Sequence, residues 1–198
     1  MKTIETFKNT TALHAKDRAA WRSWLAKNRT KESAIWLILF HKNSETSCIN
    51  YNDAVEEALC FGWIDSVKYK RDLESAYQMF TPRKPKSIWS KLNKERVDRL
   101  TDAGLITSAG QKLIDLAKQT GTWDALNEID NEIVPEDLEA AFKKNKVAKF
   151  NFEAFSSSAK KVILYWIKSA KKADTRENRI VATVNAAAEN KKVYPTSK

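Results

Sequence analysis

A chain of 198 residues with 42 % hydrophobic side chains and only four glycines and four prolines can bury a core and is too varied for low-complexity or linker sequence. Its net charge of +10 and its seven tryptophans exclude an acidic solvating chain and put polyanions among the partners to weigh. The longest apolar run, Ala34 to Phe40, is seven residues, well short of the roughly 20 that cross a bilayer.

The first residues, Met1 to Thr11, lack the apolar stretch of a secretory signal, so a cytoplasmic location is expected. Ala20, Trp21, Trp24 and Leu25 stand at helical spacing and predict an amphipathic helix over 15–28. The run Ala34 to His41 has the length and composition of a strand covered on both faces. Lys42 to Ile49 is polar and reads as a loop. Asn50 then caps a helix over 51–61, with Asp53 and Glu56 near its positive end and Gly62 at its left-handed terminus.

After Gly62 the apolar period changes to two. Residues 63–70 and 75–81 predict an antiparallel hairpin that turns at Arg71 to Glu74. Pro82 and Pro85 end it, and Ser87 is expected to cap a helix that runs to Leu100 and closes at Gly104. A further helix is expected from Ser108, with Gln111 as its capping-box partner, to Gly121.

The rest of the chain reads as helical. Pro135 sits at a first-turn position before 136–142. A helix over 146–155 would bury Val147, Phe150 and Phe155. Ser156 caps another over 157–170, with Val162, Ile163, Trp166 and Ile167 as its apolar stripe. Asp174 to Glu177 resembles a capping box that opens a last helix to Asn190, with Ile180, Val184 and Ala187 inward. The fold expected is α+β. A small, mostly antiparallel sheet packed with helices occupies 1–130, and an all-helical bundle occupies 131–198.

Charge is unevenly spread along these segments. Residues 101–139 carry nine acids against two cations, Lys112 and Lys118, whereas residues 140–198 carry fourteen cations against four acids. The two basic regions flanking this acidic belt either attract it within one fold or meet a polyanion such as nucleic acid or an anionic lipid surface. Cys48 and Cys60 lie in or beside apolar segments and read as reduced, buried thiols. His14 and His41 have no metal-ligand spacing, and no Ser-His-Asp or Cys-His set is present, so neither metal nor cofactor is expected.

The densest mixture of indoles and cations lies between Gly62 and Ser90. Trp63 and Asp65 follow the helix-ending glycine. Asp65 either caps backbone, pairs with Arg83 or Arg71, or serves as a binding or acid–base carboxylate. In Thr81 to Ser87 the prolines stiffen a segment carrying Arg83, Lys84 and Lys86, and Ser87 with the following N–H groups would cradle a phosphate or carboxylate. The expected ligand-binding set is Trp63, Asp65, Arg83, Lys86, Ser87 and Trp89. A second basic patch is expected at Lys172, Arg176 and Arg179, near Lys168 and Lys171. Trp36, Trp123 and Trp166 are expected in the core.

Two stretches resemble a known family. Ala58-Leu-Cys-Phe-Gly-Trp-Ile-Asp65 with Phe80 to Ser90, and Val134 to Phe142 with Tyr165 to Ile180, are similar to the YdeI/OmpD-associated, or bacteriocin-protection, family. The resemblance covers 24–192. It implies a role in resistance to bacteriocins or cationic antimicrobial peptides, with some link to the envelope and a porin, and it supplies no catalytic residues. A net-positive chain repels cationic peptides, so only the acidic belt suits that role directly. The reading is a non-enzymatic binding protein holding an anionic ligand or a protein partner. The alternatives are nucleic-acid binding through the basic regions, or an enzyme that uses Asp65 on a small anionic substrate.

Overall fold

The computed structural model describes residues 2–193, and the side chains from residue 5 onward. The chain divides into two compact units between Asp124 and Ala125, a little before the boundary expected at 130.

The first unit is built on a five-stranded sheet. β1 (Lys2–Phe7) and β2 (Thr10–His14) form a hairpin. Lys8 (φ 47°) and Asn9 (φ 59°) both occupy the left-handed region at its two-residue turn, the conformation that matches strand twist. The chain then enters α1 (Arg18–Asn28), where the Asp17 carboxylate accepts from the Ala20 N–H at 2.8 Å. It returns as β3 (Ile35–Phe40), parallel to β2. A helix between two neighbouring strands carries the chain back to the starting end, so the pair must be parallel. After α2 (Tyr51–Cys60) come β4 (Trp63–Lys70) and β5 (Ser75–Pro82), and the spatial order is β1-β2-β3-β5-β4. β3–β5 and β4–β5 are antiparallel. The fold is α+β as expected, but the sheet is mixed.

β3 is buried on both sides, as its continuous apolar run requires. Leu37 and Leu39 join Trp21, Leu25, Val55 and Leu59 under the helices. Trp36 and Ile38 face a second, smaller cluster with Ala12 and Tyr77. That outer face is roofed by the first hairpin. Phe7 stacks on Tyr77 at 4.2 Å and meets Trp36 edge-on at 5.2 Å. The Glu5 carboxylate accepts from Tyr77 Oη at 2.5 Å and from Arg71 Nε at 2.7 Å. β1, at one edge of the sheet, therefore reaches the β4–β5 hairpin near the other.

Two helices complete this unit, α3 (Lys91–Asp102) and α4 (Ser108–Gln119). Their caps are Ser90 and Thr107, not Ser87 and Ser108 as expected. The Lys84–Ser87 segment is spent on a turn, closed by the Ser87 N–H on the Lys84 carbonyl at 2.9 Å. At α4 the Thr107 hydroxyl donates to the Cys60 carbonyl at 2.7 Å. A Cβ on Gly110 would stand 2.4 Å from that same oxygen, so only glycine lets α4 approach the end of α2 so closely.

The second unit, among the described residues, contains α5 (Asn127–Asp130), α6 (Glu136–Lys143), α7 (Lys146–Glu153), α8 (Ser157–Lys168) and α9 (Ala173–Ala188), and no strand. Ser156 caps α8 as expected, whereas Pro135 precedes α6 and Lys172 precedes α9, neither with a side-chain cap bond. Its core is Leu138, Phe142, Ala148, Phe152, Phe155, Ile163, Leu164, Ile167 and Ile180. Val147 and Phe150 do not join it. They are 60 % and 72 % exposed, because Ala148 and Phe152 take the inward face of α7. Val162 is also exposed, and Leu164 takes its place in the α8 stripe. Among the described residues, no helix is long and apolar enough to cross a membrane.

Candidate functional site

The segment that leaves β5 organises the candidate site. Gly62, at φ 76°, ends α2 and turns the chain into β4, where Trp63 pairs with Pro82. The next N–H, that of Arg83, donates to the Gly62 carbonyl at 2.9 Å, so Arg83 is held against the start of β4. From there its side chain runs inward under the loop. Arg83 Nη2 donates to the Ile88 carbonyl at 2.7 Å, and the guanidinium lies 3.7 Å over the Trp89 ring. Trp89 is backed by Trp123 at 5.0 Å, and its N–H donates to the Thr122 carbonyl at 3.3 Å. The loop is a strap wound around one arginine.

Arg83 is 6 % exposed, and among the described residues no carboxylate reaches it within ion-pair distance. Its Nε is buried without a hydrogen-bond partner. Burial pulls the guanidinium down to about 10, with the nearby charge of Asp65 opposing the shift, so it stays protonated at neutral pH. A desolvated cation without a counter-charge costs several kcal/mol unless something supplies one.

The remaining expected residues divide. Trp63, 2 % exposed, is a core residue whose ring meets Trp24 edge-on at 5.9 Å, and Trp24 stacks on Trp21. It lines no open recess. Trp89 is equally buried and acts from beneath, as the face on which Arg83 lies. Lys86 is exposed and Ser87 half-buried, and neither side chain bonds to the Arg83–Trp89 pair among the described residues. Asp65 pairs with neither Arg83 nor Arg71. Its Oδ2 accepts from Tyr51 Oη at 2.7 Å. Burial, and then that carboxylate, push the Tyr51 hydroxyl up to about 12, so at neutral pH it is a donor and not a base. Arg71 is taken by Glu5 and Asp72.

The second basic patch is not a free cationic face. Arg176 grips Asp137 with Nε at 2.6 Å and Nη2 at 3.0 Å, and its Nη1 donates to the Ile167 carbonyl at 3.4 Å. Arg179 donates to the Trp166 carbonyl and, at 3.0 Å, to Ser169 Oγ. Both guanidiniums donate to carbonyls in the last turn of α8, a use of cations that helix C-termini favour. Lys171 and Lys172 stay exposed at the entry to α9, without an ion pair among the described residues. Trp36 is core as expected, at 1 % exposure, whereas Trp123 and Trp166 are only half-buried.

One charged assembly has no counterpart in the sequence reading. Glu57 Oε1 and Oε2 accept from Arg18 at 2.5 Å and Arg22 at 2.7 Å, and Glu56 binds Arg99 at 2.7 Å and Arg18 at 3.1 Å. Asp53 adds a third carboxylate to Arg18 at 3.0 Å. The i, i+4 spacing of Arg18 and Arg22 was the available signal, but their partners lie 35 to 39 positions on. This lattice ties α1, α2 and α3 together. Burial, and then Glu57, push the neighbouring Cys60 thiol up, which removes it as a nucleophile at neutral pH. No grouping that would hold a metal ion occurs among the described residues.

Residues 13–113 match the family model described as a domain of unknown function (DUF8412). Residues 132–190 match the model described as Bacteriocin-protection, YdeI or OmpD-Associated. The resemblance read at 134–142 and 165–180 lies inside the second match, while the Ala58–Ser90 stretch falls wholly within the first and outside the second. No curated protein and no solved structure matches the chain. The chain belongs to the first family over just over half its length and carries a YdeI or OmpD-associated domain after it.

Proposed function

We propose that this member of the bacteriocin-protection, YdeI or OmpD-associated group is a binding protein, not a catalyst, and that it holds a small anion at Arg83. One observation carries the reading: Arg83 is 6 % exposed, its guanidinium stacked on Trp89, with an unpartnered Nε and no ion pair among the described residues. Planar stacking leaves the edge of the guanidinium as its donor surface, and two parallel N–H groups match a carboxylate or phosphate. Lys84 and Lys86, exposed on the same strap, add positive potential around it. Trp63 is left out of the ligand set, and Trp89 supports from below without touching the ligand.

A catalytic role for Asp65 finds less support. One of its oxygens is engaged by Tyr51, whose hydroxyl is held protonated well above neutral pH. The nucleic-acid alternative draws on the two basic regions, and in the second of them Arg176 and Arg179 are both committed to partners within their own unit. Within a family named for bacteriocin protection, ligand-holding is the role assigned here.

The test is thermal unfolding of the full chain in inorganic phosphate, sulfate or acetate against chloride at matched ionic strength. Binding to the native state alone adds stability as RT ln(1 + [L]/Kd), about 2.7 kcal/mol at a hundredfold excess over Kd. A midpoint that rises with one oxyanion in the wild type and not in Arg83→Met supports the reading. Equal responses in the two proteins, or none in either, overturn it.

A further inference from the structure

The second unit leaves one of its helices with an outward face unlike the rest. On α7, Ala148 and Phe152 point inward, the latter against Phe142 at 5.0 Å and Phe155 at 6.0 Å. At about 100° per residue the direction opposite them belongs to Phe150, with Lys146 on one flank and Val147 on the other. Phe150 is 72 % exposed and Val147 60 %. The turn that leads into this helix adds Lys143 and Lys144, both exposed.

Of the unit's eleven described lysines, four are ion-paired. Lys149, Lys160 and Lys168 each have a carboxylate, on Glu139, Glu132 and Glu128. Lys143, Lys144 and Lys146 have no ion pair among the described residues. Three of the unit's seven described lysines without an ion pair thus lie on α7 or the turn into it, near its most exposed phenylalanine, and the one acid on that face, Glu153 on the Lys146 flank, is drawn toward Lys149 at 3.9 Å.

We propose that this face docks on an anionic lipid surface, with Phe150 and Val147 entering the boundary between headgroups and acyl chains and the three lysines against headgroup phosphates. Two apolar side chains on a convex helix offer far less than the roughly 800 Å² per partner of a stable protein interface, and they stand out where a protein partner would need a pocket. A fluid bilayer accepts such a protrusion. All three cations are lysines, whose flexible stems and point charges answer to surface potential without the fixed geometry that arginine forks impose. The resulting attachment is reversible and falls as salt rises.

The test is co-sedimentation of the full chain with phosphatidylcholine vesicles, with and without phosphatidylglycerol, over a salt series. Binding is expected only with phosphatidylglycerol. At roughly fivefold in affinity per lysine, Lys143→Gln/Lys144→Gln/Lys146→Gln is expected to weaken it about a hundredfold. Phe150→Ala is expected to weaken it about tenfold. Lys31→Gln/Lys42→Gln/Lys112→Gln, an equal charge change on exposed lysines of the first unit, is expected to cost only a few-fold; far-UV circular dichroism checks that each variant is folded. The proposal is overturned if phosphatidylglycerol vesicles do not retain the chain at low salt, or if the two triple variants lose binding equally. It is also overturned if Phe150→Ala sediments like the wild type, or if the patch captures a DNA oligonucleotide instead of vesicles.

Discussion

Arg18, Arg22 and Arg99 stand around the carboxylates of α2, while Arg83, buried more deeply than any of them, has no carboxylate at contact distance among the described residues. In the first arrangement the charge is cancelled within the fold, and each guanidinium serves as a tie between helices. In the second, backbone and an indole satisfy part of the guanidinium, and no ion pair cancels its charge among the described residues. Burial alone does not separate a structural arginine from a ligand-holding one. On the proposed reading, the presence of a contacting counter-charge does.

The largest expected effect breaks the cancelled side of this contrast. Glu57→Gln leaves Arg18 and Arg22 facing a neutral group at a position 2 % exposed. Removing one partner of a buried pair costs about 3–5 kcal/mol, and the lower end applies because both arginines keep a third of their exposure. Urea unfolding measures it; a loss below about 1 kcal/mol would mean that the lattice does not hold the helices.

Acid sharpens the same side. Burial works against the Glu56 carboxylate, but Arg99 and Arg18 together hold it below the ordinary 4.5, and Arg71 and Tyr77 do the same for Glu5. A carboxylate whose folded value lies below its unfolded value stabilises the fold above about pH 4.5 and loses that contribution as pH falls through its folded value. Stability of the first unit is therefore expected to decline below pH 4.5, and less steeply in Glu56→Gln.

Arg83→Met probes the uncancelled side and is expected to cost much less than Glu57→Gln, under about 1.5 kcal/mol in anion-free buffer. The lost bond to the Ile88 carbonyl is offset by relief of a buried, unpaired charge. The smallest effect belongs to Tyr51→Phe. It removes a half-exposed hydrogen bond to Asp65 and should change stability by about 0.5 kcal/mol. A loss as large as that of Glu57→Gln would make Tyr51 and Asp65 part of the framework.

Much of the local structure is legible in the sequence, because it is set by neighbours. Asn50 and Gly62 bracket α2, seven consecutive apolar residues mark β3, and the change of period after Gly62 marks β4 and β5. What the sequence conceals is set by distant partners. β1 and β2 are short and mostly polar, with only Ala12 and Leu13 of β2 in the core and Phe7 reaching Trp36 and Tyr77 once the hairpin folds. Missing them hid the parallel pairing that makes the sheet mixed. Ser87 and Ser90 are both competent caps, and only the turn that consumes Ser87 decides between them. The motif that draws the eye, Trp63 to Trp89, is an assembly of core indoles and one arginine, because large aromatic rings near a sheet edge bury themselves before they line a surface.

The central claim is that the charge of Arg83 is held for a ligand. NMR observation of its side-chain Nε–H signal during titration with inorganic phosphate, at constant ionic strength, tests it most directly. A saturable shift of that signal, with the Arg18 and Arg22 signals unmoved, is the expected result. An Arg83 signal that stays fixed to saturating phosphate, or that moves only in step with the paired arginines, would contradict it.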